Sequence, residues 1–298
     1  MIARSGCVPD PSSASSPSWR QLWPADISRL RLADHPRLDE ADAAALVIQS
    51  PGSSFWVPET GEFLLVTPWR HRSDIITIHT FGAFAHEPEL MRAVIDHGRQ
   101  AGYAALVIVD LNETRHPAFY TRHGLVKIEE IVTYEHRRPG NITPPDIPSY
   151  LAFTKVDVND RTTMAALLEL DHQAFPWLWR NSSAEFESYL RFPGVEVWLG
   201  ENSDDAVSYV GFTNYRGWGH LDRIATHPRY QGRGYGRLAL HMAVRRMVEQ
   251  GARRVGLSTQ GENARSRTLY TGTGFNRTRE DDYAIFAVVF DTHTNALP

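Results

Sequence analysis

Three closely spaced glycines, Gly232, Gly234 and Gly236, lie between a predicted strand and a predicted helix. The strand is the apolar stretch 219–226. The helix is predicted because apolar residues recur at the i, i+3, i+4, i+7 spacing of one buried helix face: Leu240, Ala243, Val244 and Met247. The chain must therefore turn tightly here, with unpaired backbone N–H groups and the positive end of the helix dipole at the turn. Because glycines carry no Cβ, such a turn suits a phosphate or pyrophosphate.

Three phosphate-binding patterns can be compared with this turn. A Walker loop requires Gly-Lys-Ser/Thr after its glycines, and none follows here. A dinucleotide fingerprint requires Gly-x-Gly-x-x-Gly, whereas the third glycine here comes one residue too early. The pattern Gln/Arg-x-x-Gly-x-Gly/Ala, which binds the pyrophosphate of coenzyme A, is matched by Gln231, Gly234 and Gly236. At these residues the sequence resembles the GNAT superfamily of N-acetyltransferases, and a purely structural turn is the alternative.

A second motif follows the next predicted strand, 255–260. It contains Asn263 and closes with Tyr270-x-x-x-Gly274-Phe275. This segment is similar to the GNAT segment in which a helix after the fifth strand presents Asn and Tyr to the pantetheine arm and the sulfur. The resemblance implies acetyl-CoA as co-substrate, an amine acceptor that attacks the thioester directly, and no metal.

The chain repeats itself at half its length. Tyr120 and Tyr270 are 150 residues apart, as are Gly124 and Gly274, and a proline-rich segment lies between the copies. The predicted organisation is a disordered tail, a first domain, a linker and a second domain: 1–18, 19–138, 139–150 and 151–298. The predicted fold class is α+β (mixed α/β), with two tandem GNAT-like domains as in mycothiol synthase. Each domain would have a central, mostly antiparallel twisted sheet flanked by helices.

The two copies differ at the glycine turn. The first copy has a single glycine there, Gly82, and the carboxylates of Glu87 and Glu89 stand at the helix start. These carboxylates stabilise the helix dipole themselves and would repel a pyrophosphate. The sequence therefore predicts a degenerate first copy that serves as a scaffold and a catalytic second copy.

Three residues of the second copy are candidates for proton transfer. By the resemblance, Tyr270 donates to the coenzyme A sulfur, and a buried packing tyrosine is the alternative. Period-2 alternation puts His220 and Asp222 on one face of their strand, where either could take a proton from an amine of pKa about 8–10. Asp222 could instead pair with Arg223 or Arg180, and His220 could be an ordinary core histidine.

The resemblance implies the remaining contacts. The diverging fourth strand and the glycine turn would bind the cofactor through Ile224, Ala225, Thr226, Gln231, Gly232, Arg233, Gly234, Tyr235, Gly236 and Arg237. The pantetheine arm would meet Asn263, Ser266 and Tyr270, although Asn263 could be only a helix N-cap. The acceptor would meet the loop after the first helix of the second copy, at Phe175, Trp177, Trp179 and Arg180. The two indoles could equally form a hydrophobic seam between the domains.

Composition limits the partners. A net charge of −4 without a basic run gives no sign of binding to nucleic acid or to an acidic membrane. No segment has the roughly 18 apolar residues of a membrane span, and a single cysteine fits a reducing cytoplasm. We therefore expect a cytoplasmic monomer or homodimer that acetylates an amine, a small molecule in preference to a protein. A longer acyl-CoA donor and a non-catalytic acyl-CoA-binding sensor or assembly module are the alternatives.

Overall fold

The computed structural model describes residues 18–111, 115–142, 145, 147–203, 205–279 and 281–290. The predicted tail lies outside the described residues except for Ser18, and so do positions 143, 144 and 146 of the predicted linker. Contacts group the chain into unit 1, Met1–Thr67 and His79–His97, and unit 2, Pro68–Ile78 and Gly98–Pro298. These units do not coincide with the two sequence copies, so the predicted domain boundaries stay a prediction.

Unit 1 contains a small antiparallel sheet and a capped helix. The strands β1 (Arg20–Gln21), β2 (Phe55–Trp56) and β3 (Phe63–Pro68) pair in that order. The helix α1 (Glu40–Gln49) begins at Asp39, whose carboxylate accepts a hydrogen bond from the backbone N–H of Asp42 at 2.8 Å. Apolar side chains from these elements and the preceding turns form the core: Leu22, Ile27, Leu30, Ala43, Val47, Trp56, Phe63 and Leu65.

Two elements run across the boundary between the units, β4 (Ile75–Gly82) and α2 (Glu87–Gln100). The remaining elements of unit 2 follow in chain order as β5 (Ala105–Leu111), α3 (Pro117–Arg122), β6 (Val126–His136), β7 (Ala152–Lys155), α4 (Arg161–Ala174), α5 (Ser183–Arg191), β8 (Val195–Glu201), β9 (Ala206–Tyr215), β10 (Trp218–Thr226), α6 (Tyr235–Glu249), β11 (Arg254–Gln260), α7 (Ala264–Gly272), β12 (Asn276–Arg277) and β13 (Tyr283–Val289).

The sheet of unit 2 is mixed, with strand order β4-β5-β13-β6-β11-β10-β9-β8-β7, and β12 pairs with β6. The neighbours β4/β5 and β10/β11 are parallel, and the other pairs are antiparallel. The predicted fold class, mixed α/β with a mostly antiparallel sheet flanked by helices, is confirmed.

The two sequence copies exchange strands within this sheet. The last strand of the second copy, β13, lies between β5 and β6 of the first copy, and β6 lies between β13 and β11. An apolar run in β13, residues 284–287, is buried between these neighbours. Because consecutive residues of a strand point to opposite faces, both faces of β13 are buried in the sheet. Residues of β6 are thereby placed beside the strands of the second copy.

The glycine turn and its flanking elements form as the sequence predicts. The predicted helix is α6, and all four residues of its predicted apolar face are buried. They pack with Leu221, Val255 and Leu257 of β10 and β11 in one core cluster. This packing fixes the helix start against the carboxyl end of β10.

Candidate active site

The strands β10 and β11 separate at the middle of the sheet. Their parallel pairing runs from Trp218–Arg254 to Leu221–Leu257 and then stops, although β10 continues to Thr226 and β11 to Gln260. On its other side β10 stays paired to β9, with a register shift between Leu221 and Arg223. A wedge therefore opens between the two strands, and residues 222–226 of β10 have no β11 partner.

The glycine turn closes one end of this wedge. Gly232 and Gly234 have φ angles of +79° and +88°, a region in which L side chains are strained, and no atom lies within 4 Å of a Cβ built on either. Gly234 is the N-cap of α6, so the first free N–H groups of the helix lie beside open space. Gly236 faces β10 closely, since its built Cβ would lie 3.1 Å from Oγ1 of Thr226. The turn thus forms an open cradle of backbone donors for an anion.

Two cavities adjoin along the wedge. The larger, about 830 Å³, extends from the glycine turn to the start of α7, and the smaller, about 170 Å³, lies deeper between β10 and β11. They share five lining residues: Phe175, Ile224, Gln260, Asn263 and Ser266. A long ligand held at the glycine turn would therefore reach the mouth of the smaller cavity.

Most of the predicted cofactor residues line the larger cavity: Ile224, Ala225, Thr226, Gln231, Gly232, Gly234, Tyr235, Gly236, Arg237, Asn263 and Ser266. Arg233 lines neither cavity and stacks on the ring of Tyr230 instead. Gln231 is held in place by its amide, which donates to the backbone oxygen of Thr226 at 3.2 Å and accepts from Arg265. Asn263 lines both cavities. It also caps α7, because its side-chain oxygen accepts a hydrogen bond from the N–H of Ser266 at 3.0 Å.

Tyr270 reaches the smaller cavity from α7. The residue is only 3% exposed, and it packs near Tyr134 and Phe275. Burial raises the pKa of its hydroxyl to about 12, and a hydrogen bond with Ser266 works in the opposite direction. At neutral pH the phenol therefore keeps its proton and can donate it into the cavity.

Asp222 lies at the register shift of β10 and lines the smaller cavity. Its Oδ2 accepts hydrogen bonds from Tyr189 at 2.5 Å and Thr213 at 2.6 Å, and its Oδ1 lies 2.7 Å from Nδ1 of His220. The two side chains thus share one face of the strand, as the alternation predicts. His220 itself does not line either cavity.

The two arginines considered as partners of Asp222, Arg223 and Arg180, both lie among the described residues and make other contacts. Arg223 is nine-tenths buried and pairs with Asp171 of α4, with 2.7 Å from Nε and 2.6 Å from Nη2 to Oδ2. Asp171 also accepts from Tyr209 at 2.5 Å and from the backbone N–H of Asn181 at 2.8 Å. This buried network ties α4, β9 and β10 to the loop that follows α4.

The loop after α4 divides its side chains between two environments. Phe175 and Trp179 line the smaller cavity. Trp177 lines neither cavity and donates from Nε1 to Asp74 at 3.2 Å, and exposed Arg180 donates to the backbone oxygen of Phe175 at 3.2 Å. The indoles also pack with apolar residues of β4, β5 and β13. The loop therefore contributes both to the smaller cavity and to an apolar core cluster, and its contact with the acceptor stays a prediction.

Sequence reasoning missed the wall residues that come from distant segments. Arg70 follows β3, Glu129 and Ile131 lie on β6, and Tyr283 lies on β13. Arg70 has a left-handed backbone (φ 52°), and its Nε donates to Asn181 at 3.0 Å. No local motif marks these residues, because they reach the wedge only through the strand order.

The corresponding turn of the first copy, within unit 1, is filled by a side chain of the chain itself. The carboxylate of Glu62 accepts hydrogen bonds from the backbone N–H groups of Phe84 at 2.7 Å and His86 at 3.0 Å, and it lies 3.1 Å from the His86 ring. Burial alone would raise the pKa of Glu62, but these hydrogen bonds lower it below its ordinary value. Glu62 thus satisfies donors at the start of α2 that an external anion would otherwise need.

Metal-binding clusters and membrane-spanning helices are both absent from the described residues. Within the described ranges, no group of three or more His, Cys, Asp or Glu side chains could hold a metal ion. Among the helices that the structure describes, none is long and apolar enough to cross a membrane.

Comparisons with known proteins agree with this geometry. Residues 164–275 match the model of the acetyltransferase (GNAT) family. Similar solved structures include a GCN5-related N-acetyltransferase from Sphaerobacter thermophilus, 14% identical, with TM-score 0.58 over 91% of this chain and 95% of that one. A tandem GNAT protein from the clavulanic acid biosynthesis pathway, solved without AcCoA, is 13% identical, with TM-score 0.59 over 92% and 98% of the two chains.

A probable N-acyltransferase from Enterococcus faecalis is 10% identical, with TM-score 0.63 over 91% of this chain and 72% of that one. At such identities the likeness concerns the fold alone. No curated protein sequence gives a significant match to the chain.

Proposed function

We propose that this protein, in which residues 164–275 match the model of the GNAT acetyltransferase family, transfers an acetyl group from acetyl-CoA to an amine in the wedge between β10 and β11. The observation that carries the proposal is the continuity of the two cavities. An anion cradle stands at one end, and a buried proton donor, Tyr270, stands at the other. This arrangement meets the needs of acyl transfer, which are a positioned donor, a proton acceptor and a proton source.

The residues of the larger cavity fit coenzyme A. The turn at Gly232 and Gly234 offers backbone N–H groups and the positive end of α6 to a pyrophosphate, without a Cβ in the way. Beyond it, the unpaired edge of β10 at residues 224–226 offers backbone groups to a pantetheine amide and to the thioester oxygen. When bound, acetyl-CoA supplies an acetyl group activated as a thioester.

Tyr270 is proposed as the proton donor to the sulfur. With its raised pKa it is fully protonated at neutral pH, and it lies in the smaller cavity with little access to water. The Asp222–His220 pair is the proton acceptor that the sequence suggests. Its three hydrogen bonds hold Asp222 firmly, so a proton arriving there would have to displace one of them.

The acceptor is proposed to enter along Phe175 and Trp179, which line the smaller cavity. The smaller cavity is lined by aromatic rings, by the carboxylate of Asp222 and by two arginines. Since Arg70 and Arg223 form ion pairs with Glu185 and Asp171, Asp222 is left to attract an amine, and a cavity of this size favours a small one. Trp177 and Arg180 lie outside it and are not needed for this contact.

We further propose that one coenzyme A binds per chain. In the first copy the corresponding backbone donors are already used by Glu62, and two more carboxylates, Glu87 and Glu89, follow at the start of α2. A pyrophosphate would have to displace a buried carboxylate and then meet its like charge.

The test combines binding and turnover. Isothermal titration with acetyl-CoA should give one site, and two sites of similar affinity would contradict the scaffold role of the first copy. Coenzyme A release is then followed by a thiol reagent with acetyl-CoA and longer acyl-CoAs against a panel of primary amines. Tight acetyl-CoA binding without acyl transfer to any amine would reject the enzyme in favour of a binding module.

A further inference from the structure

The strand exchange brings a carboxylate of the first copy to the active-site wedge of the second. In β6, Ile131 pairs with Gln260 of β11, and the backbone oxygen of Glu130 accepts from the N–H of Gly261 at 2.7 Å. This register places residues 129–131 at the open end of the wedge. Ile131 lines the smaller cavity, and Glu129, two residues before it, lines the larger one.

Glu129 is oriented by the loop that follows α4. Its Oε2 accepts a hydrogen bond from Nε1 of Trp179 at 3.1 Å, and the Trp179 ring lines the smaller cavity. The carboxylate therefore lines the larger cavity on the side where Trp179, part of the aromatic wall proposed for the acceptor, donates to it. No lysine or arginine of the described residues forms an ion pair with it, so its charge is not neutralised.

The groups facing Glu129 favour its protonated form. Burial raises its pKa above the ordinary value, hydrogen bonds from Trp179 and from the backbone of Glu130 oppose the rise, and the charge of Glu262 after β11 adds to it. Tyr283 of β13 faces the same region. Burial raises the pKa of its hydroxyl, the charge of Arg70 opposes the rise, and the charge of Glu129 adds to it. A carboxylate whose pKa lies nearer neutrality is a stronger base toward an ammonium group.

We propose that Glu129, supplied by the first copy, takes the proton from the ammonium form of the acceptor amine. This inference rests on the proposed acetyl transfer and assigns its base. Asp222 is the poorer acceptor because Tyr189, Thr213 and His220 already occupy its oxygens. Glu129 has one side-chain donor, Trp179, and faces a cavity of about 830 Å³.

The proton balance is complete with the groups named. The ammonium nitrogen gives one proton to Glu129, which passes this proton to solvent. The lone pair that is freed on the nitrogen then forms the C–N bond as the C–S bond breaks. Tyr270 gives a proton to the departing sulfur, and the second proton lost by the nitrogen returns to Tyr270. The products are the N-acetylated amine, coenzyme A as a thiol and one released proton.

The first experiment needs no cofactor. The indole N–H of Trp179 is assigned in the ¹H–¹⁵N spectrum by its loss in Trp179→Phe, and its shift is followed from about pH 4 to pH 8. Since this N–H donates to Glu129, its shift should titrate at a pH above the ordinary value of 4.5. The inflection should vanish in Glu129→Gln and persist in Glu130→Gln. A flat indole shift, or an inflection that survives Glu129→Gln, would overturn the proposal.

The second experiment measures turnover with benzylamine, tryptamine, tyramine and spermidine as probes, and compares variants on the best of them. Glu129→Gln keeps the size of the side chain and removes its charge and basicity, so titration should still show acetyl-CoA binding. Its kcat/KM should fall about 10²-fold or more near pH 7, which is typical for loss of a positioned base. The deficit should shrink toward pH 9.5, where free amine becomes abundant.

Glu130→Gln is the matched control, because Glu130 is exposed and lines neither cavity. It should behave as the parent at every pH. If kcat/KM of Glu129→Gln fell by the same factor at all pH values, or if Asp222→Asn showed the pH-dependent loss instead, Glu129 would not be the base. If acetyl-CoA does not bind at all, the proposed function itself is wrong. The acetyl-CoA titration tests this point independently of the Trp179 spectrum, which tests the state of Glu129.

Discussion

Replacing Asp171 with asparagine should destabilise unit 2 by about 3–5 kcal/mol, the usual cost of removing one partner of a buried ion pair. Asp171 is fully buried and the Arg223 side chain is 8% exposed, so water cannot replace the lost charge. One carboxylate oxygen accepts from Nε and Nη2 of Arg223 and from the hydroxyl of Tyr209. An amide of nearly the same shape adds no cavity, but it leaves a guanidinium charge uncompensated.

The magnitude can be separated from a general packing effect by a second substitution. In Asp171→Asn combined with Arg223→Met, neither charge of the pair remains, so most of the lost stability should return. Both variants are measured by urea unfolding, with a check that the m-value is unchanged so that the midpoint shift reports stability. A loss below about 1 kcal/mol, the scale of an exposed pair, or a double variant less stable than the single one, would refute the reasoning.

Three further outcomes are expected. Tyr270→Phe should lower kcat by about 10²–10⁴-fold while acetyl-CoA affinity changes little, because the hydroxyl acts only where charge develops on sulfur. Steady-state kinetics measures both, and a near-parental kcat would mean that Tyr270 has only a packing role. Gly234→Val should abolish protection against heat by coenzyme A, since a branched residue is strained at φ +88° and its side chain would enter the cradle; unchanged protection would exclude the turn as the pyrophosphate site. The pKa of Glu62 is lowered in the folded state. The contribution of Glu62 to the free energy of unfolding should therefore be complete above its unfolded pKa of about 4.5, and it should be lost as the pH falls through the folded pKa. Glu62→Gln should therefore cost thermal stability at pH 7 and progressively less at lower pH, and a pH-independent loss would contradict this account.

Some of the site could be predicted because its signals are local. The strand, the glycine turn and the helix α6 follow each other directly in the chain, and positive φ angles at Gly232 and Gly234 are what such a turn requires. The apolar spacing of α6 identifies its buried face, since helix periodicity is a property of neighbouring residues. The contact of His220 with Asp222 follows in the same way from the alternation of a strand.

Other features depend on partners far away in the chain. The sequence shows that Asp222 and Arg223 are adjacent, but the register shift in β10 gives them different partners, His220 and Asp171. The sequence also shows carboxylates at the start of α2, yet Glu62, which occupies the N–H groups there, lies on the loop before β3. Such pairings are set by how whole strands align, and no short pattern contains that information.

The sequence by itself determined the family resemblance and the turn that would hold a pyrophosphate, because each motif lies within one turn or one helix. It determined the fold class through the order of strand and helix patterns and the repeat at 150 residues. Only the tertiary structure decided that β6 lies beside β11 and that Glu129 and Ile131 of the first copy line the wedge of the second. The physical reason is that strand order is set by burial of both faces of a long sheet, which is a property of the whole chain. A residue's neighbours across such a sheet can therefore be more than a hundred positions away, as Glu129 is from Glu262 and Tyr283.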